Sequence, residues 1–352
     1  MTPISRRNTR TIKLGNIRIG SDAPISIQSM LNVKTANVPA VRNQIKRLVS
    51  AGCEIIRFSV MDMEDAAAIR EIKKDFQVPM VADIHFDHKL AIAAIENGID
   101  GLRINPGNIG SESGVKSLAA AAKNHGIPIR IGVNSGSLPK DLLSRYGHGS
   151  TAMMEAALSH VNILEKLGFY DIKISAKASN IPLMLASYRE LSKRCDYPLH
   201  LGVTEAGTAL SGSIKSAIGL GILLEEGIGD TIRVSLTDDP VKEVYVARQI
   251  LIGLGIRKGL QIVSCPTCGR TRIDLIGLAQ KVEQALEEFR DLELCIAVMG
   301  CAVNGPGEAR EADFGIAGGN KEGLVFARGE IIKKVPEEQL LSALVELIRE
   351  SL

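Results

Sequence analysis

The sequence predicts an α/β fold: a (β/α)8 TIM-type barrel over residues 1–258, then a small α+β domain over 259–352. Three observations carry this reading. Short β-rich runs alternate with helical stretches from the start, in eight strand–helix units spanning about 235 residues, the size of one such barrel. No G-x-G-x-x-G follows the first strand, which speaks against an open dinucleotide-binding sheet. After Leu254 the rhythm changes at Gly253, Gly255 and Gly259, which mark a linker.

The expected strands cover 24–30, 54–60, 79–86, 101–105, 128–134, 171–176, 198–204 and 231–236. The helices between and after them are expected near 38–51, 64–74, 89–97, 114–125, 151–167, 182–194, 213–226 and 240–254. Apolar residues at helical spacing support these, as with Met154, Leu158, Val161 and Leu164. Gly52, Gly98, Gly126 and Gly168 stand where helices should end. Beyond the linker the pattern reads strand 261–264, helix 274–289, strand 293–299, a Gly-rich loop, two strands, and a final helix 337–349.

Composition narrows the function. Lys and Arg total 42 against 40 Asp and Glu, so the net charge of +2 gives no basic field for nucleic acid or an anionic membrane. Aromatic residues make up 3%, too few for base-stacking platforms. No apolar run is long enough to span a membrane. No apolar segment follows Arg6, Arg7, Arg10 and Lys13, so no secretory signal is expected. Six Cys are too sparse for a secreted disulfide scaffold, and the expected location is the cytoplasm.

Barrel strands usually read as continuous apolar runs, because both faces are covered. Five of these carry cations instead: Arg57, Arg103, Arg130, Lys173 with Lys177, and Arg233. Each buried charge needs a partner. Acids such as Glu54, Asp83 and Glu205 would supply a purely structural pairing. The cations outnumber the acids in these strands, which favours a polyanion site at the C-terminal mouth, with a diphosphate as the natural ligand. Asn134 and Ser235 follow strands at the same level and offer further hydrogen bonds or simply serve turns. Asp83, His85 and Glu205 are the acid–base candidates. Glu205 ends an apolar strand near Gly207, where its carboxyl could protonate a leaving oxygen.

Cys265 and Cys268 form C-x-x-C in SCPTCGR, and Cys301 follows in VMGCAVNGPGE. This pattern admits zinc, a redox dithiol or an iron–sulfur site. Cys53, Cys195 and Cys295 read as buried apolar residues. Glu308 is the better fourth ligand. Three thiolates with one carboxylate suit a [4Fe-4S] cluster with an exchangeable iron more than a closed zinc site. A zinc-dependent phosphoesterase and an iron-responsive sensor are the rival readings; a sensor would not need the inward cations.

NVKTANVPA, CEIIRFSV, VADIHF, LRINPGN, RIGVNSGSL, KISAKAS, LGVTEAG, SCPTCGR and MGCAVNGPGEA together resemble the 4-hydroxy-3-methylbut-2-enyl diphosphate synthase family, in its compact two-domain bacterial form. The resemblance runs over essentially the whole chain. It implies two-electron reduction of 2-C-methyl-D-erythritol 2,4-cyclodiphosphate, with ring opening and loss of water, in isoprenoid synthesis. It implies a [4Fe-4S] cluster on Cys265, Cys268, Cys301 and Glu308. It implies diphosphate contacts from Arg57, Arg103, Arg130, Asn134, Lys177, Arg233 and Ser235, with Glu205 as the acidic residue near the substrate; Asp83 and His85, read from their own motif, are further substrate-binding candidates. It also implies flavodoxin or ferredoxin as electron donor, and a homodimer in which one subunit's cluster domain caps the other's barrel.

Overall fold

The computed structural model describes residues 4–105, 109–301 and 310–352. The chain divides into two compact units, Met1–Ile250 and Leu251–Leu352.

The first unit begins with an antiparallel hairpin, β1 (Ile12–Leu14) and β2 (Ile17–Ile19). Its turn requires Gly15, whose φ of 57° is one that residues with a Cβ adopt reluctantly. Eight parallel strands follow: β3 (Ser26–Met30), β4 (Ile55–Ser59), β5 (Met80–Asp83), β6 (Gly101–Ile104), β7 (Ile129–Asn134), β8 (Ile172–Lys177), β9 (His200–Leu201) and β10 (Thr231–Ile232). They run in the order β8-β7-β6-β5-β4-β3-β10-β9, and a parallel bridge between Ile174 and Leu199 joins the two ends. Ile12, Leu14 and Ile19 pack with Ile55 and Val81, so the hairpin plugs the N-terminal end of the barrel. Each strand of the hairpin is only three residues long, too short for periodicity to reveal it in the sequence.

Helices α1 (Val38–Ser50), α2 (Met63–Lys73), α3 (His88–Glu96) and α4 (Glu112–His125) surround the first strands. Around the rest lie α5 (Lys140–Tyr146), α6 (Ser150–Lys166), α7 (Ile181–Arg194), α8 (Ala209–Glu225) and α9 (Pro240–Gly253). Local chemistry fixes their ends. Asn37, Asp62, Asp87, Ser111 and Asn180 each accept a backbone N–H in the first turn of the following helix. Gly126 closes α4 in the left-handed conformation, at φ 65°. The short α5 falls in a stretch expected to be loop, and α8 begins four residues before the expected start.

The alternation of side chains along the strands explains the interrupted apolar runs. On β7, Ile129, Ile131 and Val133 share one face and Arg130, Gly132 and Asn134 the other. On β8, Ile172, Ile174 and Ala176 alternate with Lys173, Ser175 and Lys177. Strand register aligns Asp83 with Arg103, Arg103 with Arg130, Arg130 with Lys173, and Asn134 with Lys177. The polar sets therefore form layers inside the barrel, while the apolar sets pack beneath the helices.

The second unit is a five-stranded mixed sheet. Its strands are β11 (Leu260–Ser264), β12 (Leu294–Met299), β13 (Phe314–Gly318), β14 (Glu322–Ala327) and β15 (Glu330–Pro336), paired in that order. The first three are parallel, and the last two pairings are antiparallel. Helices α10 (Leu275–Ala285) and α11 (Leu340–Ser351) bury Leu275, Val282, Leu340, Leu344 and Ile348 against Ile296, Val298, Ile316 and Val325. Three strands follow the Gly-rich stretch where two were expected. Arg328 and Gly329 have φ of 49° and 82°, a tight reversal that splits an apolar stretch into the β14–β15 hairpin. Arg-Gly is a weak sequence signal for such a turn.

Candidate functional site

The strands deliver five cations to one cavity at the C-terminal end of the barrel. Arg57 comes from β4, Arg103 from β6, Arg130 from β7, Lys177 from β8, and Arg233 from just beyond β10. Asn134, Ser175, Thr204 and Ser235 complete the lining of a cavity with about 380 Å³ of empty volume. Each expected phosphate contact, Arg57, Arg103, Arg130, Asn134, Lys177, Arg233 and Ser235, lies on this one surface.

Two acids organise the cations. Asp83 accepts from Arg57 Nη2 at 2.8 Å and from Arg103 Nη1 at 3.2 Å. His85 lies alongside, its Nε2 3.6 Å from Asp83 Oδ2 and 3.2 Å from Arg103 Nη1. Burial alone would raise the Asp83 carboxyl, but Arg57, His85 and Arg103 outweigh it and hold it well below the usual carboxylate range. Asp83 is thus a fixed anion that aims two guanidinium groups, not a proton donor. Across the barrel, Glu243 of α9 lies 3.7 Å from Arg233, accepts from Ser29 Oγ at 3.1 Å and caps the Leu236 amide at 3.0 Å. Arg130 donates to Ser175 Oγ at 2.6 Å.

Two acids do not balance five cations. Burial, compounded by Arg57 and Arg103, pushes the Arg130 guanidinium well down from its ordinary value. Burial and the charges of Arg130, Arg233, Arg57 and Arg103 do the same to Lys177. Arg233 is pushed down to about 10, by burial first and Arg57 second. Arg130 Nε and Nη2, Arg57 Nε and Arg233 Nε are buried without a partner among the described residues. Such mutual repulsion is relieved by an anionic ligand, and two phosphate groups would use the free donors.

Glycine supplies the room. A Cβ at Gly132 would come within 2.5 Å of Arg103 Nε, and one at Gly202 within 2.6 Å of Lys177 Nζ. Ser175, Thr204, Glu243, Gly132 and Gly202 escaped the sequence reading. Of these, Gly132 within β7 carries a usable signal, because a mid-strand Gly marks a close approach. Glu205 does not line the cavity, although its neighbour Thr204 does. Glu205 is exposed, just past β9, with a positive φ of 51° that only a surrounding constraint holds. Glu54, the other structural candidate, instead accepts the Ile27 amide at 2.8 Å.

In the second unit, Cys265 follows β11 and Cys301 lies just past β12, its parallel neighbour. Cys265 Sγ accepts the backbone N–H of Gly300 at 3.2 Å, which brings it to the residue adjoining Cys301. Cys268 is exposed. The Arg270 backbone N–H holds its thiol below the ordinary range, against a small cost of burial, with the Arg270 and Thr271 side chains assisting. Thiolate character and an N–H···S hydrogen bond are what an iron–sulfur cluster asks of its ligands. Among the described residues, no three His, Cys, Asp or Glu side chains already converge at metal-binding distance. Glu308 lies outside the described residues. Cys53 is buried with its thiol pushed up to about 12 by burial, which fits a packing role.

The GcpE TIM-barrel domain model matches residues 9–248, and the GcpE protein C-terminal domain model matches residues 261–350. The chain belongs to the GcpE family. Among its relatives, 4-hydroxy-3-methylbut-2-en-1-yl diphosphate synthase (flavodoxin) of Clostridium perfringens is 56% identical over 347 residues, covering 98% of this chain and 99% of the relative. The enzyme of the same name from Geobacter sulfurreducens is 58% identical over 342 residues, covering 97% of each. Among solved structures, dihydropteroate synthase from Stenotrophomonas maltophilia matches with a TM-score of 0.52 at 15% identity, over 70% of this chain and 98% of that one. 3-Dehydroquinate dehydratase from Geobacillus kaustophilus matches with a TM-score of 0.51 at 13% identity, over 71% and 99%. These last two likenesses establish the barrel fold for this GcpE chain and nothing of its chemistry.

Proposed function

We propose that this GcpE family member is a 4-hydroxy-3-methylbut-2-enyl diphosphate synthase. It opens the ring of 2-C-methyl-D-erythritol 2,4-cyclodiphosphate with two electrons and releases water, in isoprenoid biosynthesis. The observation that carries the reading is the barrel mouth, where five cations meet two acids around one cavity. The names of the relatives support the same reaction.

Residues 1–258 form the substrate-binding domain in this reading, and residues 259–352 carry the cluster. Arg57, Arg103, Arg130, Lys177 and Arg233 bind the two phosphate groups, with Asn134 and Ser235 hydrogen-bonding to them. Asp83 and His85 hold Arg57 and Arg103 in register for that grip. Binding discharges the repulsion among the buried cations, which draws a doubly charged ring from water into the barrel. The resemblance gives the proton donation to Glu205, which is exposed beside the cavity-lining Thr204.

Cys265, Cys268 and Cys301 fit a [4Fe-4S] cluster, and Glu308 completes the set. When bound, the cluster would supply electrons one at a time, with the carboxylate of Glu308 as the ligand most readily exchanged. Flavodoxin is the favoured donor, given the relatives' names, with ferredoxin as the alternative. None of the six cysteines is paired in a disulfide, which fits a reducing cytoplasm. No helix among the described residues is long and apolar enough to cross a membrane. A homodimer is supported by α8, which leaves Leu210, Ile214, Ile218 and Ile222 exposed in one stripe at four-residue spacing.

The test is an anaerobic assay of the purified chain with the cyclodiphosphate and a chemical reductant. Brown protein that consumes the substrate and yields the open-chain diphosphate is expected. Colourless, zinc-loaded protein without turnover would overturn the reading.

A further inference from the structure

Glu243 reaches the barrel from the first turn of α9 and is buried there. Its two oxygens have different tasks. Oε1 accepts the backbone N–H of Leu236 at 3.0 Å, and Oε2 accepts from Ser29 Oγ at 3.1 Å. Oε2 also stands 3.7 Å from Arg233 Nη2, a charge contact longer than a hydrogen bond. Asp83, in contrast, hydrogen-bonds both of its cations. Glu243 therefore balances Arg233 while its hydrogen bonds go elsewhere, to Ser29 on β3 and to the turn after β10.

That turn is a junction. Ser235, which lines the cavity, precedes Leu236, and Thr237 follows it. The Thr237 N–H donates to the Gly207 carbonyl at 2.9 Å, which joins this turn to the segment after β9 that carries Thr204 and Glu205. Gly212 of α8 lies against both. A Cβ there would come within 2.6 Å of Leu236 Cδ2 and 2.9 Å of the Gly207 oxygen. The Glu205 backbone, at its φ of 51°, is thus held between α8 and a turn whose own anchor is Glu243.

We infer that Glu243 is a positioning residue for the proposed reaction. By fixing the Leu236 amide it seats Ser235 for a phosphate and, through Thr237 and Gly207, sets the backbone of Glu205. The phosphate grip and the acid then share one anchor. The anchor is stiff because a buried carboxylate that lost a donor would be left unsatisfied. This role rests on the reading of the mouth as a diphosphate site and of Glu205 as the acid.

The test compares the full-length wild type with Glu243→Gln and Glu243→Ala. In Glu243→Gln the amide oxygen still accepts from Leu236 and the amide nitrogen donates to Ser29 Oγ, so the anchor stays and the charge is gone. Glu243→Ala removes both. Amide hydrogen exchange over residues 203–212 should be about tenfold faster in Glu243→Ala and near the wild-type rate in Glu243→Gln. With the cyclodiphosphate and a chemical reductant, Glu243→Ala should lose about tenfold in kcat, and Glu243→Gln should recover most of that loss. Inorganic pyrophosphate should inhibit Glu243→Gln at lower concentration than the wild type, because Arg233 has lost its counter-charge. Equal exchange and equal kcat in the two variants would overturn the role and leave Glu243 a counter-charge alone. If Glu243→Ala does not fold, Ser29→Ala takes its place, and wild-type exchange over 203–212 in that variant would overturn the role. The expected exchange pattern without turnover by the wild type would overturn the proposed reaction and not the anchor.

Discussion

The Arg103 guanidinium occupies the space that a side chain at Gly132 would need. A methyl there would come 2.5 Å from Nε and 2.8 Å from Nη2, and Arg103 Nη2 already donates to the Gly132 carbonyl at 3.4 Å. The position of this cation is set by an absence on the neighbouring strand as much as by Asp83.

Gly132→Ala is therefore expected to push Arg103 off its line while leaving the backbone in place, because every close atom belongs to that one side chain. Losing charge-assisted hydrogen bonds to a phosphate costs about 1.5–3 kcal/mol, so kcat/KM for the cyclodiphosphate should fall roughly ten- to hundredfold. Circular dichroism should stay unchanged. Gly202→Ala makes a contrast, since its methyl would also meet the Arg233 carbonyl oxygen at 2.7 Å. That variant should lose Tm as well as activity, and equal Tm values for the two would sink the distinction.

Asp83→Asn removes the anion between Arg57 and Arg103 and keeps the shape. Breaking a buried ion pair from one side costs about 3–5 kcal/mol. The variant should unfold at lower denaturant concentration, and inorganic pyrophosphate should restore more stability to it than to the wild type, because two cations are newly uncompensated. A midpoint equal to that of the wild type would show that Asp83 does not hold the pair.

The barrel and its cations were legible for a shared reason. In a closed parallel barrel, charge inside an apolar strand has few explanations, so Arg57, Arg103, Arg130, Lys177 and Arg233 stood out by type and position alone. Glu243 did not, because a residue on helix α9 meets Ser29 and Arg233 only through tertiary structure. Ser29 and Ser175 were equally mute, since a strand serine has many ordinary uses. The plug formed by Ile12 and Leu14 depends on where a three-residue strand folds back, which periodicity cannot resolve. Glu205 was noticed as an acid, but its left-handed backbone is a property of the fold alone.

The cysteines divide by environment. Cys268→Ser or Cys301→Ser should yield protein that lacks the broad visible absorption of an iron–sulfur cluster after anaerobic reconstitution and that carries little iron. Cys53→Ala should keep both, because its thiol is buried on the barrel and resists ionisation. Iron content measured beside the spectrum separates loss of the cluster from loss of activity. Undiminished iron in Cys268→Ser would remove that residue from the ligand set.

His160 gives the stability of the barrel a pH dependence separate from its chemistry. It is buried on α6, and burial pushes its imidazole down to about 4, against about 6.5 in the unfolded chain. Between those values the unfolded state binds the proton and the folded state does not, so stability rises with pH across this window. The contribution is fully present above about pH 6.5 and is lost as the pH falls through 4. At about 1.4 kcal/mol per pH unit it reaches roughly 3 kcal/mol at most. Denaturant unfolding of wild type and His160→Leu at pH 4.5 and 7 checks this. The wild type should lose stability toward the lower pH, and the variant should lose less by about 2–3 kcal/mol. Parallel losses would place the titrating group elsewhere.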